Sequence, residues 1–163
     1  MSMPFVVQIV GYKNAGKTTL LCKLLRHLKA SGLRVGTVKH DGHDFELDHP
    51  GTDTWKHQEA GADAVAITSA RQTAWIRKQP SELADLLAGM TDMDVVLVEG
   101  FKRANHPKLV MLRGPDDAVL LKETTRILAV VAAQGTVELP EQTANFSRDE
   151  DEAIFDFLLG QMG

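Results

Sequence analysis

The chain has 163 residues, 44% hydrophobic and 25% charged, with a formal net charge of −4. That size suits one domain with a substantial core, and the acidic balance argues against generic binding to nucleic acid or an anionic membrane. No stretch approaches the roughly 18 apolar residues of a membrane span, and a lone cysteine, Cys22, excludes an internal disulfide or a multi-cysteine metal site.

Met1 to Pro4 leads straight into an apolar run instead of a signal peptide, so cytoplasm is the expected location. Phe5 to Val10 is that run, and its β-branched content predicts a buried strand. Next comes Gly11-Tyr12-Lys13-Asn14-Ala15-Gly16-Lys17-Thr18, which fits the P-loop pattern of Gly, four residues, Gly, Lys and Ser or Thr. Leu20, Leu21, Leu24, Leu25 and Leu28 then recur at helical spacing, so a helix is expected from Lys17 to Ser31 with Gly32 as its stop. Cys22 in this helix reads as a small buried residue.

Each part of the motif has a chemical use. Gly11 and Gly16 permit close approaches that a side chain obstructs. The amides of Asn14 to Thr18, with Thr19 following, belong to a loop and first helical turn that favour phosphate. The Lys17 ammonium suits the β and γ phosphates, and the Thr18 hydroxyl suits Mg²⁺.

Further strands are expected at Arg34 to Val38, Ala64 to Thr68 and Thr73 to Arg77, the last two joined by a turn at Ala70 to Gln72. Between them lies a polar loop, Lys39 to Thr54, and a short helix from Asp53 to Ala60 that stops at Gly61. Pro80-Ser81 opens another helix, with Ser81 as N-cap and Leu83, Leu86, Leu87 and Met90 on one face. Asp94 to Val98 is almost continuously apolar, as in a central parallel strand. Lys108 to Leu112 and Ile127 to Ala132 follow as strands, Gln134 to Asn145 as a loop. Ser147 and Glu150 form a capping-box pattern ahead of a final helix carrying Ile154, Phe155 and Leu158. This alternation predicts one α/β domain over residues 1–163, with a mainly parallel sheet of the P-loop NTPase type flanked by helices. The Thr68 to Arg77 pair reads as an added hairpin, and residues 101–125 as a dimerisation or edge element.

Two acids compete for the metal side of the phosphate site. Asp94 begins its strand and so lies ~13 Å or more from the ligand end. Glu99 ends the strand, where open α/β sheets bind ligands, and is the expected Mg²⁺-side and catalytic acid beside Lys17. The loop Lys39 to Asp53 is rich in His and Asp and has three readings. It is a switch-like loop with Asp48 as a metal ligand, a transition-metal site built on His40, His43 and a carboxylate, or a solvated surface loop. Lys39 is either a surface lysine or a group that reaches an anion. Arg71, Arg77, Arg103 and Arg113 are scattered and read as surface charges. Trp55 and Trp75 read as core or interface packing.

From the first strand to the final helix the chain resembles the MobB family of molybdopterin-guanine dinucleotide biosynthesis adaptors. The residues that carry the resemblance are Gly11 to Thr19, Val38-Lys39-His40, His43-Asp44, Asp48, Pro50-Gly51 and Asp53. Ala60-Gly61-Ala62 and Leu97-Val98-Glu99-Gly100-Phe101-Lys102 complete the set. The resemblance implies GTP binding with Mg²⁺, weak GTP hydrolysis and a homodimer. It also implies a role in attaching GMP to molybdopterin, beside a MobA-type nucleotidyltransferase and molybdoenzymes that receive the cofactor. From the residues alone GTP and ATP stay equally open, because Ile127 to Ala132 is not followed by an Asn-Lys-x-Asp guanine motif. The alternatives are a nickel-delivery GTPase that uses His40, His43 and Asp44, and a P-loop small-molecule kinase.

Overall fold

The computed structural model describes residues 2–133 and 135–163. Met1, and Gln134 of the expected loop Gln134 to Asn145, lie outside the described residues. In chain order the elements are β1 (Phe5–Val10), α1 (Lys17–Ala30), β2 (Val35–Lys39), α2 (Asp53–Glu59), β3 (Ala64–Thr68), β4 (Thr73–Arg77) and α3 (Leu83–Ala88). They continue with β5 (Val95–Glu99), β6 (Lys108–Met111), a 3-10 turn (Pro115–Ala118), α4 (Val119–Glu123), β7 (Ile127–Val131), β8 (Ala144–Phe146) and α5 (Asp151–Met162). The chain forms two compact units. One comprises the residues through His40 together with Leu83–Gly163; the other is Asp41–Glu82.

In the larger unit six described strands form one sheet, ordered β2-β5-β1-β6-β7-β8. Every pairing in it is parallel. A parallel sheet must be covered on both faces, and the period-2 alternation of the strands divides them. Val7, Ile9, Val95, Leu97, Leu109, Met111, Ala129 and Val131 pack with Leu20, Leu21, Leu24 and Leu28 of α1 and Ile154 and Leu158 of α5. On the other face Val38, Val96 and Val98 meet Leu83 and Leu87 of α3. There too Val10, Val110 and Val130 meet Leu120 of α4. The apolar stripe of α1 is thus its core face. Gly32 ends that helix at φ 83°, with its amide bonded to Lys29 O and the Leu33 amide to Leu28 O, a left-handed helix stop.

In the smaller unit β3 and β4 form an antiparallel hairpin, from Ala64 opposite Arg77 to Thr68 opposite Thr73. Thr52 caps α2 by accepting the Trp55 amide at 3.2 Å, and Gly61 follows at φ 104°. Trp75 is 66% exposed and Ile67 54%, so Trp75 is no core residue, while Trp55 is half-buried.

Several expectations need correction. The second strand sits one residue later than Arg34 to Val38, which brings Lys39 into it. The strand expected at Asp94 starts at Val95 and takes in Glu99. Asp94 instead accepts the Arg34 amide at 2.7 Å. The helix expected to open at Ser81 begins at Leu83. Met90 lies in the turn beyond it but packs on the same cluster. The expected loop to Asn145 contains the start of β8, a three-residue strand too short for its pattern to show. The 3-10 turn and α4 were not foreseen at all. The final helix begins at Asp151, and only half of the capping box forms: Glu150 Oε2 accepts the Ser147 amide at 2.8 Å. Cys22 is half-buried.

Candidate functional site

β1 delivers the chain to Gly11 at the carboxyl end of the sheet, where α/β folds bind ligands. Gly11 is needed there because a Cβ would stand 2.8 Å from Met111 O and 3.1 Å from Ala15 Cβ. Asn14 and Gly16 adopt left-handed backbone, φ 64° and 94°, a conformation open to glycine and tolerated by asparagine. Among the described residues the amides of Asn14, Gly16, Lys17, Thr18 and Thr19 have no main-chain partner. The Ala15 amide differs from expectation: it donates to Tyr12 O at 3.1 Å and so closes the turn. The free amides and the positive end of the fourteen-residue α1 are donors of the kind that suit an anion.

Lys17 donates to Gly11 O at 2.6 Å and to Tyr12 O at 3.3 Å. Burial pushes its ammonium below the usual lysine range; Glu99 opposes that shift, while Lys39, Lys102 and Arg113 add to it. Thr18 Oγ1 donates to Glu99 Oε1 at 2.6 Å. Glu99 is the last residue of β5, in register with Ile9 of β1 and Lys39 of β2. Its side chain is 9% exposed, and Lys39 Nζ lies 3.5 Å from Oε1. The sequence-selected Lys17, Thr18 and Glu99 therefore share one site with Gly11, Asn14, Ala15, Gly16 and Thr19.

The segment after Glu99 is fixed from below. Gln8, fully buried in β1, donates its amide to Gly100 O at 3.0 Å and Phe101 O at 2.7 Å. Its Oε1 accepts the His106 amide at 3.3 Å. Lys108 is also fully buried and donates to His106 O at 2.9 Å and Thr125 O at 3.0 Å. Burial, then Arg126, lowers its pKa. Neither residue was singled out from the sequence, where both sit inside strand patterns as isolated polar positions.

The family model described as molybdopterin guanine dinucleotide synthesis protein B, or MobB, matches residues 6–133. The chain belongs to the MobB family. It is 32% identical to a probable molybdopterin-guanine dinucleotide biosynthesis adapter protein of Bacillus subtilis, over 98% of this chain and 94% of that one. With the adapter protein of Escherichia coli the figures are 31%, 96% and 93%. The crystal structure of Bacillus subtilis MobB aligns with a TM-score of 0.80 at 31% identity, over 97% of this chain and 98% of that chain. These MobB relatives match the adapter reading, not the nickel-delivery or kinase alternatives.

The loop acid Asp48 belongs to the smaller unit. Its Oδ1 accepts the His49 amide and the Thr52 hydroxyl, each at 2.9 Å, and its Oδ2 accepts Gln58 Nε2 at 3.0 Å. Hydroxyl groups, Thr54 foremost, hold its pKa below the ordinary carboxylate range. Among the described residues no three His, Cys, Asp or Glu side chains gather to hold a metal ion, so the transition-metal reading of His40 and His43 lacks an assembled ligand set. None of the described helices is long and apolar enough to cross a membrane.

Arg113 is a surface charge, as the sequence suggests, and its guanidinium also lies 5.1 Å from the Tyr12 ring centre and donates to Lys13 O at 3.2 Å. It also grips buried Asp117, Nε to Oδ2 at 2.9 Å and Nη2 to Oδ1 at 2.8 Å. The only signal was the four-residue spacing of Arg113 and Asp117. The Arg113 hydrogen bonds hold the Asp117 carboxyl below the ordinary range. A carboxylate depressed on folding stabilises above its unfolded pKa, and that stability is lost as pH falls through the folded pKa. Melting temperature should therefore drop as pH falls below about 4. In Asp117→Asn the drop should be shallower, from a lower neutral-pH plateau; circular dichroism melts from pH 7 to 2.5 check this, and parallel curves refute it.

Proposed function

We propose that this chain is a GTP-binding adapter, with weak Mg²⁺-dependent GTPase activity, that assists the attachment of GMP to molybdopterin. The observation that carries the reading is the 2.6 Å contact between Thr18 Oγ1 and Glu99 Oε1 at the start of the P-loop helix. Hydroxyl and carboxylate oxygens are hard donors of the kind Mg²⁺ takes. Lys17 beside them supplies the positive charge that a triphosphate needs.

In this reading the amides of the Gly11 to Thr18 turn bind phosphate oxygens, and Lys17 turns its ammonium from Gly11 O to the β and γ phosphates. Thr18 and Glu99 would hold Mg²⁺, directly or through water. Bound there, Mg²⁺ neutralises the charge of the terminal phosphates. Gln8 fixes the backbone after Glu99, and Arg113 fixes the Tyr12-Lys13 turn. Slow hydrolysis is expected of the chain alone, with a partner completing the site. A MobA-type nucleotidyltransferase performs the transfer chemistry, a homodimer is the working form, and residues 101–125 contribute to its interface. The family membership of the chain and the adapter names of its relatives support these assignments.

Base choice is the sharpest test, because no guanine motif follows β7. Calorimetric titration with GTP and ATP, each with Mg²⁺, should give GTP at least about tenfold tighter, a difference of roughly 1.4 kcal/mol. Equal or tighter ATP binding overturns the GTP assignment.

A further inference from the structure

We infer that Lys39 is a second phosphate-binding ammonium of this site and reads the terminal phosphate of a nucleoside triphosphate. The inference rests on the nucleotide-binding reading above and adds a residue that determines specificity within it.

Lys39 is the last residue of β2 and lies in register with Glu99. Its backbone position is tightly set. The His40 amide donates to Glu99 O at 3.0 Å, and the His40 ring lies tilted against Phe101 with centres 4.9 Å apart. Gly100, at φ 94°, lets the two chain ends meet: a Cβ there would sit 3.3 Å from both His40 Cβ and His40 O. The ends of β2 and β5 are stapled together, so the Lys39 stem starts beside Glu99 in any side-chain conformation.

The ammonium itself is loosely held. It is 3.5 Å from Glu99 Oε1, the same oxygen that takes the Thr18 hydroxyl at 2.6 Å, and its side chain is 57% exposed. The contact is long and its lysine end is exposed, and Glu99 keeps the Thr18 hydroxyl, so Lys39 can turn from Glu99 to a bound anion. The charge balance also asks for an anion. Lys17 and Lys39 both act on this region, as do Lys102 and Arg113, while Arg113 alone has a separate carboxylate partner in Asp117. Among the described charges that act on Lys17, Glu99 is the one carboxylate, set against Lys39 and Lys102 as well as Lys17 itself.

A diphosphate is served by the loop amides and Lys17. The acid of the metal side lies next to the β and γ oxygens in P-loop sites, so a cation beside that acid is placed for the γ phosphate. Lys39 is that cation.

The test compares GTPγS and GDP binding by calorimetry, with Mg²⁺, in the full chain and in Lys39→Ala and Lys39→Arg. Loss of one charge-assisted contact predicts GTPγS affinity lower by about tenfold in Lys39→Ala, with GDP affinity changed by less than about twofold. Lys39→Arg should recover most of the difference. Melting curves establish that the variants are folded, which the exposure of Lys39 makes the expected result. If the unaltered chain binds GTPγS tightly and Lys39→Ala keeps the same GTPγS to GDP ratio, the inference fails and the nucleotide-binding reading stands. If the unaltered chain binds neither nucleotide, both fail.

Discussion

Lys17→Ala should lower the affinity for Mg-GTP by about a hundredfold, read by calorimetry on the full chain. Hydrogen bonds to a charged group contribute about 1.5–3 kcal/mol each, and about 1.4 kcal/mol is a factor of ten. Lys17 is positioned for two such bonds, since its ammonium already reaches Gly11 O and Tyr12 O on the proposed phosphate-binding loop. The variant should fold normally. Burial disfavours the ammonium where it stands, so removing it relieves a desolvation cost in the unliganded protein. The effect therefore falls on binding and leaves stability nearly unchanged. Affinity within about twofold of the unaltered chain would remove the phosphate-cradle account.

Gly11→Val should be more damaging, because it strikes the fold and the site together. The new Cβ would meet Met111 O at 2.8 Å and Ala15 Cβ at 3.1 Å. Met111 O is main chain at the end of a buried strand, and Ala15 is itself 1% exposed, so neither neighbour can turn aside. The clash must be relieved by moving the loop away from β6. Overpacking of this kind costs about 1–3 kcal/mol, which urea unfolding measures. The shifted loop also misplaces every amide from Asn14 to Thr19, and the loss of GTP affinity should equal or exceed that of Lys17→Ala. A variant with normal stability and normal affinity would show that the close approach of β1 and β6 is not what shapes the loop.

The elements that the sequence revealed best are those whose pattern and function coincide. Phe5–Val10, Ala64–Thr68 and Thr73–Arg77 are where β-branched runs placed them. Helix α1 follows from leucines at helical spacing, stopped by a glycine. Glu99 was preferred to Asp94 by a direction argument, and the structure puts it beside Thr18. What stayed hidden depends on contacts far apart in the chain. Gln8 and Gly100 are 92 residues apart, and Arg113 meets Lys13 across 100. No local pattern announces such pairs. β8 was missed for a related reason: three residues carry too little periodicity, and pairing with β7 makes the strand. The short helix after β6 lacks the apolar repeat of a longer one and is held instead by Leu120 in the core.

The place of β5 has a consequence for synthesis. It lies between β1 and β2, although its residues leave the ribosome more than fifty positions after β2. Until Val95–Glu99 emerge, the two earlier strands cannot take their final neighbours, and their unpaired edges stay open to wrong partners. The nascent chain must therefore wait, half-finished, with the loop bearing Lys17 already made but the acid facing it still unborn.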